Sequence, residues 1–195
     1  MSNYQGTQVL LHVYDITPSP TTNDYLMYIG MGAFHTGVQL YSNEYSFGGS
    51  QDAHPSASGM HTCTPKQAEG IYRTSIDMGM TSKTSKEVDR ILSELGEKYK
   101  AAEYNLFTRN CNDFCDELCF ALVGKQIPPW INRMSSIARY CPCVFPKTTD
   151  KAPLASFNAF QGQGYALSDA KPIEPEQRKN ERQAALERLA KAAKS

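Results

Sequence analysis

Four histidines and six cysteines bound the covalent chemistry open to this chain. Cys111 lies in the run RNCNDF, where the apolar spacing opens a helix near Asn110. A thiolate at that place meets unpaired backbone N–H groups and the positive end of the helix dipole. Both effects lower a thiol pKa and favour a nucleophile. The same N–H groups, that of Cys111 first, could hold the oxyanion of a tetrahedral intermediate. Cys115 and Cys119 follow one and two turns deeper on roughly the same face, so Cys111 is the best placed of the three to reach a cleft. Cysteine in general is a small buried apolar residue, and only the helix-start position separates this one from its neighbours.

A thiol nucleophile needs a base. His35 follows the glycine-rich turn Gly30-Met31-Gly32 and opens a strand, where small residues let a substrate backbone approach. His12 sits mid-strand in an apolar run and reads as a satisfied core residue, whereas His54 and His61 flank a polar loop and are expected on the surface. Position alone puts His35 only slightly ahead. No cofactor and no metal are expected. Cys141 and Cys143 are the only close pair outside the helix and lack the further spaced ligands that zinc requires. Neither a P-loop nor a GxGxxG fingerprint is present.

The elements that must position these residues follow from hydrophobic period. Val9–Ile16 (VLLHVYDI) reads as a buried strand, and Thr17–Asn23 (TPSPTTN) as a loop by composition. His35–Tyr41 and Glu44–Phe47 read as a hairpin through Ser42-Asn43, closed by Gly48-Gly49, with further strands near 59–64 and 71–77. From Ser85 the period turns helical, with Val88, Ile91, Leu92, Leu95 and Tyr99 on one face. A second helix runs from Asn110 to Gly124, and a short third surrounds Trp130–Ala138 after Pro128-Pro129. Strands first and helices after predict an α+β fold.

The 195 residues are 41% hydrophobic and 10% aromatic, enough for a packed core. Twenty basic residues balance twenty acidic ones, which argues against a nucleic-acid partner. No apolar stretch is long enough to span a membrane, and the first residues lack a secretory pattern. The expected location is therefore cytoplasmic, with the nucleus as a second compartment, and the cysteines are expected as free thiols. Residues 1–150 carry 12 basic and 15 acidic groups, and residues 151–195 carry 8 and 5. That shift, with the loss of period after Pro146, predicts a domain over 8–146 followed by a linker and helical tail over 147–195.

Four blocks carry a resemblance. VLLHVYDI, IGMGAFHTGVQLYSNEYSFGG, YNLFTRNCNDF and GKQIPPWINRM occur in the order and spacing of the PPPDE family, over residues 8–145. That family resembles permuted papain-like cysteine peptidases and includes desumoylating isopeptidases and related deubiquitinating enzymes. GKQIPPWINR is most similar to their second subgroup. The resemblance implies an antiparallel sheet packed with a catalytic helix. It implies a catalytic pair, His35 as base and Cys111 as nucleophile, acting on an isopeptide bond to ubiquitin or a ubiquitin-like modifier such as SUMO. It implies a narrow groove beside the Gly-Gly turn for the modifier's glycine-rich tail, and a homodimer is among the expected partners. Asp113 stands where the family often has histidine. Asp15, Tyr14 and Gln39 are candidates to orient the imidazole. Two other readings remain: a thiol-dependent thioesterase or acyltransferase, and a non-catalytic adaptor for ubiquitin-like proteins.

Overall fold

A computed structural model describes residues 6–50 and 53–140. The expectations for the 147–195 tail and for Cys141 and Cys143 lie outside the described residues. Five strands form one antiparallel sheet: β1 (Thr7–Asp15), β2 (Phe34–Leu40), β3 (Asn43–Phe47), β4 (Met60–Cys63) and β5 (Ile71–Thr81). Their order across the sheet is β4-β3-β2-β1-β5. β1 lies between β2 and β5; on its β2 side Leu11 pairs with Val38 and Val13 with Thr36, so one set of alternating residues faces the helices. The mixed α+β architecture agrees with the alternation and helical periods of the sequence.

Helix α1 (Pro20–Tyr28) takes over the second half of the expected Thr17–Asn23 loop, while Thr17–Ser19 stay outside the helix. Its Ser19 cap accepts from the Thr22 N–H and Pro20 occupies the first turn, so the residues that suggested a loop are also good helix starters. Only Asn23 in this helix is buried, whereas Tyr25, Tyr28 and Ile29 are exposed, so no apolar stripe announced it. Helix α2 (Ser85–Lys98) opens with a Thr84–Glu87 capping box and buries Val88, Ile91, Leu92 and Leu95. Helix α3 (Cys111–Val123) lies on the inner sheet face, and Phe114, Leu118 and Leu122 join Leu11, Val38 and Leu40 in the core. Gly124, at φ 70°, ends it in the left-handed region. Helix α4 (Arg133–Tyr140) starts three residues later than the sequence suggested, after a turn in which the Ile131 N–H donates to the Pro128 carbonyl.

The hairpin turn falls on Tyr41-Ser42, one residue earlier than expected, with Tyr41 at φ 57° and Asn43 already paired to Leu40. This register puts Glu44 opposite Gln39 and, by continuation, Ser46 on the same sheet face as Glu44 and His35.

Candidate active site at the start of the third helix

Cys111 is the first residue of α3, and the turn that presents it is held by an N-cap network. The Asn110 carboxamide oxygen accepts from the N–H groups of Asn112 (2.8 Å) and Asp113 (3.1 Å). The Asp113 carboxylate accepts the Asn110 N–H in return at 2.9 Å. Asn110 Nδ2 donates to Ser135 Oγ at 2.8 Å, which ties the cap to α4. Asp113 also accepts from Arg139 Nη2 and Asn132 Nδ2. The acidic residue at this departure from the family pattern is thus engaged in capping and in an ion pair.

Asn112 joins the helix start to β2. Its Oδ1 accepts from Thr36 Oγ1 at 2.8 Å, and its Nδ2 donates to the Phe34 carbonyl at 3.2 Å. Phe34 and Thr36 are the residues on either side of His35, so one carboxamide couples the two chain segments that carry the expected nucleophile and base. Among the described residues no hydrogen bond joins His35 to Cys111. The thiol donates a long contact to Asn112 Oδ1 at 3.8 Å, and the Tyr104 hydroxyl lies beside it. His35 Nε2 lies 3.2 Å from Ser46 Oγ.

Burial governs the protonation of both groups. It pushes the Cys111 thiol up to about 11, although the backbone N–H groups of Thr36, Asn112 and Cys111 pull it down. The expected lowering at a helix start is present but outweighed, because a thiol only 4% exposed loses most of its hydration. Burial, with the nearby His61, lowers His35 to about 3. The resting site therefore holds a neutral thiol and a neutral imidazole at neutral pH. Cys115 and Cys119 are fully buried with their thiols also pushed up, and Cys115 donates to the Thr36 carbonyl at 3.4 Å. Cys63, Cys111, Cys115 and Cys119 are free thiols.

The other sequence candidates divide. Tyr14 pairs with His35 across β1 and β2, and their ring centroids are 5.9 Å apart. Its hydroxyl, however, donates to the buried Glu44 carboxylate, at 2.8 and 2.9 Å from the two oxygens. Asp15 accepts from Asn23 and Arg73, and Gln39 Oε1 accepts from His12 Nε2 at 2.8 Å, so neither orients His35. His12 is buried and satisfied, as expected, with Ser75 Oγ at 2.7 Å from its other nitrogen. His54 is exposed. His61 departs from expectation: it is half-buried on β4, paired with Ser46, because the loop before it returns the chain to the sheet edge. The glycines of the two turns are explained by the protein's own packing. A Cβ on Gly32 would meet the Phe34 ring at 2.6 Å, and one on Gly49 would meet Tyr104 at 2.6 Å. Ser46, Tyr104 and Asn112 lie inside the recognised blocks, yet only strand register and tertiary packing show what they touch.

A family model described as "PPPDE putative peptidase domain" matches residues 7–149. The chain belongs to the PPPDE peptidase family. Relatives agree with this membership. A DeSI-like protein of Arabidopsis thaliana is 34% identical over 175 residues, covering 88% of this chain and 75% of its own length. A desumoylating isopeptidase 1 homolog of Caenorhabditis elegans is 36% identical over 142 residues, 70% of this chain but 40% of the worm protein. Human desumoylating isopeptidase 1 is 30% identical over 133 residues, 66% of this chain and 74% of its own. The PPPDE domain accounts for every element that positions Cys111 and His35. Among the described residues no helix is long and apolar enough to cross a membrane, and no group of three metal-ligating side chains gathers.

Proposed function

We propose that this PPPDE protein is a cysteine isopeptidase that releases a ubiquitin-like modifier, SUMO by the names of its relatives, from a lysine side chain. The observation that carries the reading is the Asn112 carboxamide, which fastens the Cys111 turn to the residues flanking His35. In the proposed reaction Cys111 Sγ attacks the isopeptide carbonyl carbon as its proton passes to the His35 ring. The carbonyl electrons move onto oxygen, and the Cys111 N–H is the proposed donor to that oxyanion. When the tetrahedral intermediate collapses, the C–N bond breaks and the imidazolium returns the proton to the departing lysine amine. A thioester between Cys111 and the modifier remains. Water, deprotonated by the same imidazole, then hydrolyses it and restores the thiol.

With thiol and imidazole both neutral at rest, proton transfer accompanies attack instead of preceding it. Substrate binding must also bring the imidazole within reach of the thiol, as catalytic contacts often tighten only in the complex. The test is hydrolysis of SUMO-linked and ubiquitin-linked substrates by wild type, Cys111→Ala and His35→Ala. The reading expects no turnover from Cys111→Ala and a loss of about 10²–10⁴ from His35→Ala, the usual worth of a general base. Turnover that survives in Cys111→Ala contradicts it.

A further inference from the structure

His35 has a partner that decides which of its nitrogens can act as a base. Ser46 Oγ lies 3.2 Å from His35 Nε2 and donates to the Thr36 carbonyl at 2.7 Å. A serine hydroxyl has one proton. With that proton engaged on the Thr36 carbonyl, the oxygen can only accept from the ring, so Nε2 must carry the hydrogen. The tautomer follows from this accounting of donors. The side chain of Ser46 is fully buried, so water does not compete for the hydroxyl.

Two other rings lie near His35. His61 pairs with Ser46 across β3 and β4, and its Nδ1 lies 3.3 Å from the Gly59 carbonyl, which requires a donor. Tyr14 meets His35 only through its ring, because its hydroxyl is committed to Glu44. Tyr14 therefore does not compete with Ser46 for the ring proton.

We propose that Ser46 is the positioning residue of this site, fixing His35 as the Nε2–H tautomer so that Nδ1 is the nitrogen that takes the Cys111 proton. The inference rests on the isopeptidase reading for its functional meaning, but the tautomer can be measured without any substrate. Ser46 touches neither substrate nor the reacting atoms; it acts through His35.

The experiment is long-range ¹H–¹⁵N NMR of His35 in the full chain, paired with steady-state kinetics on a SUMO substrate, for wild type, Ser46→Ala and Ser46→Thr. In wild type Nε2 should show the protonated type of shift and Nδ1 the bare type. Ser46→Ala should mix the tautomers and lower kcat about tenfold with KM unchanged, the weight of one neutral hydrogen bond. Ser46→Thr keeps the hydroxyl and should restore both the tautomer and most of kcat. A purely structural serine would lower thermal stability without moving the tautomer. An Nδ1–H tautomer in wild type overturns the proposal even if neither variant folds. So does an unchanged Nε2–H tautomer in a folded Ser46→Ala. Failure of wild type to cleave any modifier contradicts the isopeptidase reading instead, and the NMR result still decides the role of Ser46.

Discussion

Asn112 Oδ1 accepts a hydrogen bond from Thr36 Oγ1 at 2.8 Å, and through this contact the first turn of α3 is locked to the strand that carries His35. Its Nδ2 completes the clamp on the Phe34 carbonyl. Both partners are buried, so neither can turn to water when the carboxamide is removed. Asn112→Ala should cost about 1–3 kcal/mol, the range for stranding buried polar groups, and should lower kcat as the two segments separate. Urea unfolding and turnover on one substrate check this together. An unchanged midpoint with unchanged kcat would mean that the clamp holds nothing.

Asn112→Asp adds a charge and also gives up the Nδ2 donor to the Phe34 carbonyl. It keeps an acceptor for Thr36 but sets a negative charge beside a thiol already pushed up to about 11. The anionic form of the thiol is disfavoured further, so the pH at which Cys111 becomes reactive should rise. Peptide-resolved alkylation rates against pH read it. In wild type the Cys111 rate should climb toward about 11 with no plateau between pH 6 and 8. A plateau there would reveal a preformed thiolate–imidazolium pair.

His35 gives stability a pH slope. Its folded value, about 3, lies below the ordinary 6.5 of an exposed histidine. Above 6.5 both folded and unfolded states are neutral and nothing is lost. As pH falls from 6.5 toward 3 the unfolded chain binds the proton and the folded one does not, so stability declines through that window. His61, lowered by burial, adds in the same direction. His35→Gln should flatten the decline between pH 7 and 4, read as unfolding free energy at each pH. An equal slope in the variant would mean that His35 titrates normally in the fold.

Gly37→Ala tests the buried carboxylate behind the site. Glu44 is fully buried, accepts from Tyr14 and from the Lys66 N–H at 2.8 Å, and has its pKa raised by burial. A Cβ at Gly37 would run into that carboxylate, whose carbon Cδ would stand 2.7 Å away. Glu44 cannot yield without breaking its bonds to Tyr14 and Lys66. The substitution should destabilise by about 1–3 kcal/mol, as overpacking does, and thermal melting measures it. A Tm equal to wild type would show that Glu44 is free to move.

Much of the frame was legible because periodicity speaks for single elements. The VLLHVYDI strand, the hairpin and the α2 stripe each declare themselves through their own residues, and Asn110 and Gly124 bracket α3 by their chemistry. What escaped depends on partners distant in sequence. Ser46 is an ordinary strand serine until the hairpin register sets it beside His35. His61, within the strand expected near 59–64, reads as a surface residue until β4 joins the sheet edge opposite Ser46. Helix α1 hid in turn-forming letters, having no buried apolar face to betray it. The helix start, through its dipole and free N–H groups, favours the Cys111 thiolate, and burial, a property of the whole fold, outweighs it.

The central claim is that Cys111 is the nucleophile for a ubiquitin-like tail. SUMO and ubiquitin probes ending in an electrophile, incubated with the full chain and mapped by peptide mass spectrometry, test it most directly. The account predicts one adduct, on the peptide carrying Cys111, formed with the SUMO probe and absent in Cys111→Ala. An adduct on Cys63, Cys115 or Cys119, or no adduct with either modifier, would contradict it.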